Sequence, residues 1–217
     1  MAVVIVPAII AGQPVVQRGV NWAAYERVLT EADDRRVPRL TYDRGELESV
    51  SPSGRHERDS VSVTLLVELV AAAHAIPVLS VGSMTYRRRA VERGFEPDAS
   101  FYIRSAPLVR DEDEIDPERD PPPDLVVEVD VANSSLDKLA VFASLGVPEV
   151  WRWVEGDLSI DLLRDGSYRR VDVSAELPML SGGMITTLMA ESRSLPRPEW
   201  LRRLTDWAAA HARNELH

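Results

Sequence analysis

Cysteine is absent from this 217-residue chain. The protein therefore has no disulfide bonds and no thiolate metal sites, and a reducing compartment suits it. Long hydrophobic runs are also absent, since none approaches the roughly 18 residues that a membrane helix requires. The apolar stretch at residues 3–10 is short and contains Pro7, so it does not resemble a secretory signal. We expect a cytoplasmic protein without membrane contact.

An excess of positive charge is missing too, because the net charge is −10. This counts against a protein that coats nucleic acid by general electrostatics, but not against an enzyme with a local basic groove. Lys138 is the single lysine among 25 basic residues. Arginine replaces lysine at most surface positions, but not easily where a compact, titratable ammonium is required. Lys138 is thus either a functional group or a chance survivor on a helix surface.

The length and a hydrophobic content of 45% predict one well-buried domain with extensions. We expect a poorly structured N-terminal arm over residues 1–20, the domain over residues 21–195, and a C-terminal helix over residues 196–217. A hairpin is predicted over residues 39–50, turning at Asp43-Arg44-Gly45. A helix should follow from about residue 56 to residue 75, with Val61, Leu65 and Leu69 in its buried stripe.

The β-branched run from Asp124 to Val131 predicts a central strand that is covered on both faces. Asn133-Ser134-Ser135 offers a helix cap after it, and a helix is expected over residues 136–145. Consecutive antiparallel strands surround these elements. The pattern favours the α+β class, with a central mixed sheet flanked by helices, over a doubly wound fold.

Two acids lie within or beside the predicted strands. Glu128 stands between valines, where an isolated carboxylate is costly to bury, and Asp98 follows Pro97 at the start of a strand. If the two strands are neighbours, the carboxylates meet and suit Mg²⁺ or Mn²⁺, which use few protein carboxylates. Each acid could instead form a salt bridge with an arginine. With Lys138 on the following helix, the set could activate water and stabilise a phosphorane-like transition state.

The motifs of residues 20–195, taken in order, resemble the Uma family of restriction endonucleases in the PD-(D/E)XK nuclease superfamily. The matching segments are Arg39-Leu-Thr-Tyr-Asp-Arg-Gly-Glu-Leu-Glu, Ser51-Pro52, His56-Glu57, Pro97-Asp98-Ala-Ser-Phe-Tyr, Pro123-Asp-Leu-Val-Val-Glu128-Val, Lys138-Leu and Gly146-Val-Pro-Glu-Val-Trp151. Each motif is weak by itself. Their order and spacing make the resemblance fairly specific.

The resemblance implies a restriction-endonuclease-like core in which Asp98 and Glu128 bind the metal. Glu46 would be a further active-site acid, with an exposed hairpin carboxylate as the alternative. The superfamily pattern places a lysine two residues after the second acid, where this chain has Asp130. The resemblance therefore suggests that Lys138 reaches the site from the helix. Asp130 would be an extra ligand or the mark of a decayed site.

The function implied is that of a metal-dependent DNA endonuclease. A homodimer is expected, because a double-strand cut needs two sites. The alternative is a catalytically inactive binding or interaction module on the same fold, and hydrolysis of RNA or of a nucleotide stays open. His56 could contact phosphate or position a water, although a partly exposed residue in the capping region is the more common case. Arg87–Arg89 and Arg93 could line a backbone-binding groove or form a solvated strand edge.

Overall fold

The computed structural model describes residues 12–31, 38–110, 115–129, 134 and 136–214. The strands in these ranges are β1 Pro14–Arg18, β2 Arg39–Asp43, β3 Glu46–Val50, β4 Leu79–Ser80, β5 Tyr86–Arg88, β6 Arg93–Phe95, β7 Ala99–Tyr102, β8 Leu125–Val129, β9 Glu149–Val154, β10 Asp157–Arg164 and β11 Ser167–Val171. The α-helices are α1 Trp22–Glu31, α2 Gly54–Ala73, α3 Ala106–Val109, α4 Lys138–Leu145, α5 Gly182–Ser194 and α6 Arg197–Asn214.

The strands form two sheets. A five-stranded antiparallel sheet has the order β1-β3-β2-β6-β5 and contains the hairpin of residues 39–50. Arg44 and Gly45 turn this hairpin with positive φ angles of 44° and 102°, as the predicted Asp-Arg-Gly turn requires. Residues 14–18 belong to this sheet, so the prediction of a poorly structured arm over residues 1–20 was wrong there. Residues 1–11 lie outside the described part of the chain.

The second sheet is six-stranded, in the order β11-β10-β9-β8-β7-β4. Its pairs are antiparallel except for β8 and β9, which run parallel across the connection through α4. The central position predicted for the strand at residues 124–131 is correct, since β8 lies between β7 and β9. The sheet is therefore mixed and flanked by helices, and the predicted α+β class is confirmed.

The main core lies between one face of the six-stranded sheet and helices α2, α5 and α6. The odd-numbered residues of β8 and the Val63, Leu66, Val67 and Val70 face of α2 pack together there. The predicted buried stripe of α2 was wrong in part, because Val61 is 52% exposed. The apolar positions of α2 are shared between two neighbouring faces, so helical periodicity alone did not fix which face is buried.

The opposite face of β8 packs on α4 and on residues of the five-stranded sheet. The side chain of Asp137 caps α4 by accepting a hydrogen bond from the Ala140 amide, whereas a cap at residues 133–135 was predicted. Gly146 ends the helix with a φ of 81°, a conformation that glycine adopts without strain.

The predicted C-terminal helix is present as α6, which packs on α2 and α5. Helix α5 was not predicted. None of the helices in the described ranges combines the length and the apolar character that crossing a membrane would require.

Candidate active site

Asp98 lies where the chain crosses from the five-stranded sheet to the six-stranded sheet, between β6 and β7. Its backbone amide donates to the Val127 carbonyl, and its own carbonyl accepts a hydrogen bond from the Ser60 hydroxyl of α2. The Val129 amide donates to Asp98 Oδ2 over 2.6 Å. β7 and β8 are neighbours, with Ala99 opposite Val127. These contacts fix the carboxylate at the end of β8 that leads to α4.

Glu128 projects from β8 on the face that carries Val126, toward α4. It is 2% exposed, and its Oε2 atom accepts a hydrogen bond from Lys138 Nζ at 2.7 Å. Burial raises the pKa of Glu128 to about 7, while the Lys138 ammonium opposes the shift and the Asp98 carboxylate adds to it. The structure thus brings together the two predicted metal-binding acids and the single lysine, which begins the helix after β8.

Lys138 stays a cation in this setting. Burial by itself lowers the pKa of its ammonium, but the charges of Glu128, Asp98 and Glu48 outweigh burial and raise it above the ordinary value. The ammonium is therefore suited to donate hydrogen bonds and to stabilise negative charge. It is not suited to accept a proton near neutral pH.

Two further side chains hold Asp98, and one of them forms the salt bridge with an arginine that the sequence left open as an alternative. Arg39 Nε of β2 lies 2.9 Å from Asp98 Oδ1, and His56 Nε2 of α2 lies 3.0 Å from Oδ2. Burial disfavours the imidazolium, but the hydrogen bond and the negative charge of Asp98 prevail and raise the pKa of His56. His56 lies in the capping region of α2, as predicted, because its amide donates to Ser53 Oγ, but its side chain also contacts Asp98. The His56-Glu57 motif was the sequence signal for this second role.

The five-stranded sheet contributes an acid to the cluster, and that acid is Glu48. Its carboxylate is fully buried and accepts a hydrogen bond from Ser134 Oγ at 2.9 Å. Glu46, the predicted acid, lies two residues earlier on the same strand and forms an exposed ion pair with Arg18 at 2.8 Å. The structure does not bring Glu46 together with Asp98, Glu128 and Lys138. The sequence pattern alone could not separate the two because alternate residues of a strand share a face.

The donor set fits a hard divalent cation. Asp98 and Glu128 are buried carboxylates close enough for the negative charge of one to raise the pKa of the other. A cation between them would relieve this repulsion, and Mg²⁺ and Mn²⁺ take carboxylate oxygens together with several waters. Over the described ranges, no group of three or more Asp, Glu or His side chains is gathered closely enough to form a complete metal site by itself. Asp130, predicted as an extra ligand or a mark of decay, lies outside the described residues.

Two of the arginines at residues 87–93, Arg88 and Arg93, have structural partners in this molecule. Arg93 is paired with Asp43 at 2.8 Å and donates to the Ala140 carbonyl, which ties the hairpin to α4. Arg88 donates to the backbone of residues 117 and 120 and to the Tyr86 hydroxyl. The guanidinium groups of Arg88 and Arg93 are therefore engaged inside the protein and do not form a free basic edge.

Comparison with known families supports the sequence motifs. The family model Uma2, described as "Putative restriction endonuclease", matches residues 22–190. The chain belongs to the Uma2 family. The resemblance noted in the sequence is thereby confirmed, and the match contains Asp98, Glu128 and Lys138. It ends inside α5, so α6 lies beyond it. No curated protein matches the chain significantly.

A solved structure shares the fold. It is titled "Crystal structure of a putative nuclease belonging to DUF820 from Anabaena variabilis ATCC 29413", and it is 16% identical in sequence with a TM-score of 0.53. The alignment covers 70% of this chain and 92% of that chain. At this identity the likeness shows that the two proteins share a fold.

Proposed function

We propose that this Uma2 protein is a metal-dependent endonuclease that hydrolyses phosphodiester bonds of DNA. The observation that carries the proposal is the buried contact of 2.7 Å between the single lysine and Glu128, beside Asp98. Family membership supports a nuclease and a nucleic acid substrate. DNA rather than RNA is the narrower part of the proposal.

In this proposal Asp98 and Glu128 hold one Mg²⁺ or Mn²⁺ ion. Such an ion, when bound, lowers the pKa of a coordinated water and neutralises charge on the phosphate. Hydrolysis adds the water oxygen to phosphorus and breaks one phosphorus–oxygen bond, leaving a phosphate monoester and a free hydroxyl. Glu128 would accept the metal in place of the ammonium that it binds in the absence of metal.

The other residues of the cluster orient these groups. Arg39 and His56 fix Asp98 from two sides through the contacts of 2.9 and 3.0 Å. Lys138, kept protonated by its acidic neighbours, stabilises the negative charge that develops on the phosphate oxygens. Glu48 takes the role of the third acid that the resemblance assigned to Glu46, because Glu48 is buried beside Lys138 and Glu46 is paired with Arg18.

A nicking assay tests this function. Purified protein with Mg²⁺ should convert supercoiled plasmid to open-circle and linear forms, and Asp98→Asn and Glu128→Gln should each reduce the rate by about a thousandfold. Equal activity in the three samples would show contamination and reject the proposal. Cleavage of RNA with no cleavage of DNA would show that the substrate is RNA and that the DNA part of the proposal is wrong. We also expect the active form to be a homodimer, which sedimentation of the purified protein measures.

One observation favours the alternative of an inactive binding module. Each metal-binding acid already has a cationic partner, Arg39 for Asp98 and Lys138 for Glu128. If these ion pairs are permanent, the same cluster serves only stability. Failure of Mg²⁺ or Mn²⁺ to bind at millimolar concentration would favour this alternative over the nuclease.

A further inference from the structure

A groove of about 850 Å³ runs between the first half of α2 and the junction of α5 with α6. We call it the α2–α6 groove. Its lining includes four arginines, Arg55, Arg58, Arg193 and Arg197. This is a concentration of positive charge on a chain whose net charge is −10. The groove is therefore a place where an anionic ligand meets a potential opposite in sign to that of the whole molecule.

The two acids that line the groove leave this charge largely unopposed. Glu57 Oε1 accepts a hydrogen bond from Arg39 at 3.1 Å, and Arg39 is not part of the lining. Asp59 is buried and binds the Arg193 guanidinium through both of its oxygens. Neither acid pairs with Arg55, Arg58 or Arg197. Within the described residues, the guanidinium groups of Arg55, Arg58 and Arg197 therefore have no carboxylate partner and can bind an external anion.

The helical spacing of α2 sets one wall of the groove. Arg55, Arg58 and Ser62 are separated by three and then four residues, which places them on one face of the helix. Arg55 and Arg58 are exposed, and within the described ranges neither has an ion pair with a carboxylate. Two long cations on an exposed helix face are suited to follow a flexible chain of negative charges.

The other wall carries arginines that are held in place. The Arg197 guanidinium lies 4.7 Å from the ring centre of Trp200, and its Nη1 atom donates to Ser62 Oγ at 2.8 Å. The Arg193 guanidinium lies 5.0 Å from the ring centre of Trp153. Stacking of this kind fixes the guanidinium plane while leaving other N–H groups to donate. The groove therefore combines a wall of fixed arginines with a wall of exposed arginines.

Side-chain contacts connect the lining of the groove to the acid cluster. Arg55 immediately precedes His56, which contacts Asp98, and Glu57 lines the groove while it binds Arg39. Arg39 in turn contacts Asp98 at 2.9 Å. One side chain thus separates the groove from the metal-binding acid. A chain of phosphates lying in the groove would continue toward the cluster.

We propose that the α2–α6 groove binds the phosphate backbone of the DNA substrate and guides it to Asp98 and Glu128. This rests on the function proposed above. Arg197 lies beyond the residues that the family model matches, so the fixed wall depends on a part of the chain outside that match. The binding is independent of base sequence, because guanidinium contacts to phosphates carry no sequence information.

The experiment measures binding and cleavage separately. The affinity of a short, fluorescently labelled DNA duplex is measured by anisotropy in EDTA, where a metal-dependent cut does not occur. Arg55→Gln with Arg58→Gln is compared with the wild type and with the matched control Arg169→Gln with Arg170→Gln, two exposed arginines on β11. All three proteins should have the same thermal midpoint, since the four side chains are exposed.

The salt dependence of the DNA affinity separates phosphate binding from a purely structural role of Arg55 and Arg58. Loss of two phosphate contacts should weaken binding at low salt by about tenfold and reduce the log–log salt slope by about 2. The β11 control should match the wild type. If both double variants lose the same amount of DNA affinity, or if the α2 variant binds DNA as tightly as the wild type, the groove proposal is wrong. If the wild type binds through the groove but never cuts DNA with Mg²⁺, the nuclease proposal fails while the groove stands. If the wild type does not bind DNA, the groove proposal fails.

Discussion

The two ends of strand β8 both carry buried acids, but the groups that satisfy them differ in kind. At its beginning, Asp124 accepts hydrogen bonds from the amides of Ile103 and Ser105 and from the Ser105 hydroxyl. The exposed Arg104 guanidinium adds a longer contact of 3.4 Å to the same carboxylate. At its end, Glu128 is bound by the Lys138 ammonium. Backbone amides cannot leave, whereas a flexible side chain can move aside. Asp124 is therefore built into the fold, and Glu128 is placed to exchange its partner.

The same contrast holds for the acids next to them. Glu149, which begins β9, accepts hydrogen bonds from the amides of Ala175 and Glu176 and from the Trp151 indole. Asp98 accepts one backbone amide and otherwise faces Arg39 and His56. A buried acid that is held by cationic side chains marks a candidate functional site more reliably than burial alone.

The largest expected effect is on DNA cleavage and comes from a change at the end of β8, where Lys138 binds Glu128. Lys138→Met should lower the rate of DNA cleavage by about a thousandfold, because it removes a donor from the site where charge develops. It should leave Mn²⁺ affinity unchanged or increased, since the ammonium no longer competes for Glu128. Single-turnover cleavage and a calorimetric Mn²⁺ titration measure the two quantities. Full activity in Lys138→Met would show that the lysine has a structural role.

At the beginning of β8 the expected effect is on stability. Asp124→Ala should lower the free energy of unfolding by about 3 kcal/mol, because two backbone amides and a hydroxyl lose an acceptor that is itself buried. Urea denaturation followed by circular dichroism measures it. Asp206→Ala, at an exposed position of α6, is the control and should have no effect. If Glu128→Gln costs more stability than Asp124→Ala, the comparison between the two ends is wrong.

Glu176, which lies between β11 and α5 and close enough to Asp124 to interact with its charge, makes this region sensitive to pH. Burial raises the pKa of Glu176 to about 7 from an ordinary value of 4.5, Arg104 opposes the shift, and Asp124 and Glu149 add to it. Between these two values the folded protein holds a proton that the unfolded chain releases, so its stability falls as the pH rises through this window.

Glu176→Gln removes the titrating group and therefore also removes this loss of stability at higher pH. After allowance for the lost ion pair with Arg104, we expect the variant to be more stable than the wild type by about 2 kcal/mol above pH 7. The difference should shrink toward pH 4.5. Urea denaturation across this range measures it, and an advantage that does not vary with pH would contradict the assignment.

The smallest effect separates the two acids of β3. Glu48→Gln should lower the rate of cleavage by about tenfold, because Glu48 supports the charge of Lys138. Glu46→Gln should leave the rate unchanged, since its partner is the exposed Arg18. The same nicking assay measures both variants. The opposite order would restore Glu46 as the active-site acid.

Much of this comparison could be predicted from the sequence. Asp98 and Glu128 were identifiable because carboxylates beside buried strands need partners. Lys138 was identifiable because it is the single lysine of the chain. The tertiary partners were not predictable in the same way. Arg39 and His56 reach Asp98 only because β2 and α2 meet at the crossing between two sheets, which no local pattern encodes. The sequence likewise could not distinguish Glu46 from Glu48, since only the tertiary packing buries Glu48 and leaves Glu46 at the surface.

A calorimetric Mn²⁺ titration of the wild type, Asp98→Asn and Glu128→Gln tests the central claim most directly. The wild type should bind one ion per chain at millimolar concentration or below, and each variant should lose that binding while keeping its thermal midpoint. If the wild type gives no binding heat, or if Glu128→Gln binds as the wild type does, then the acids at the end of β8 do not exchange their cationic partners for a metal.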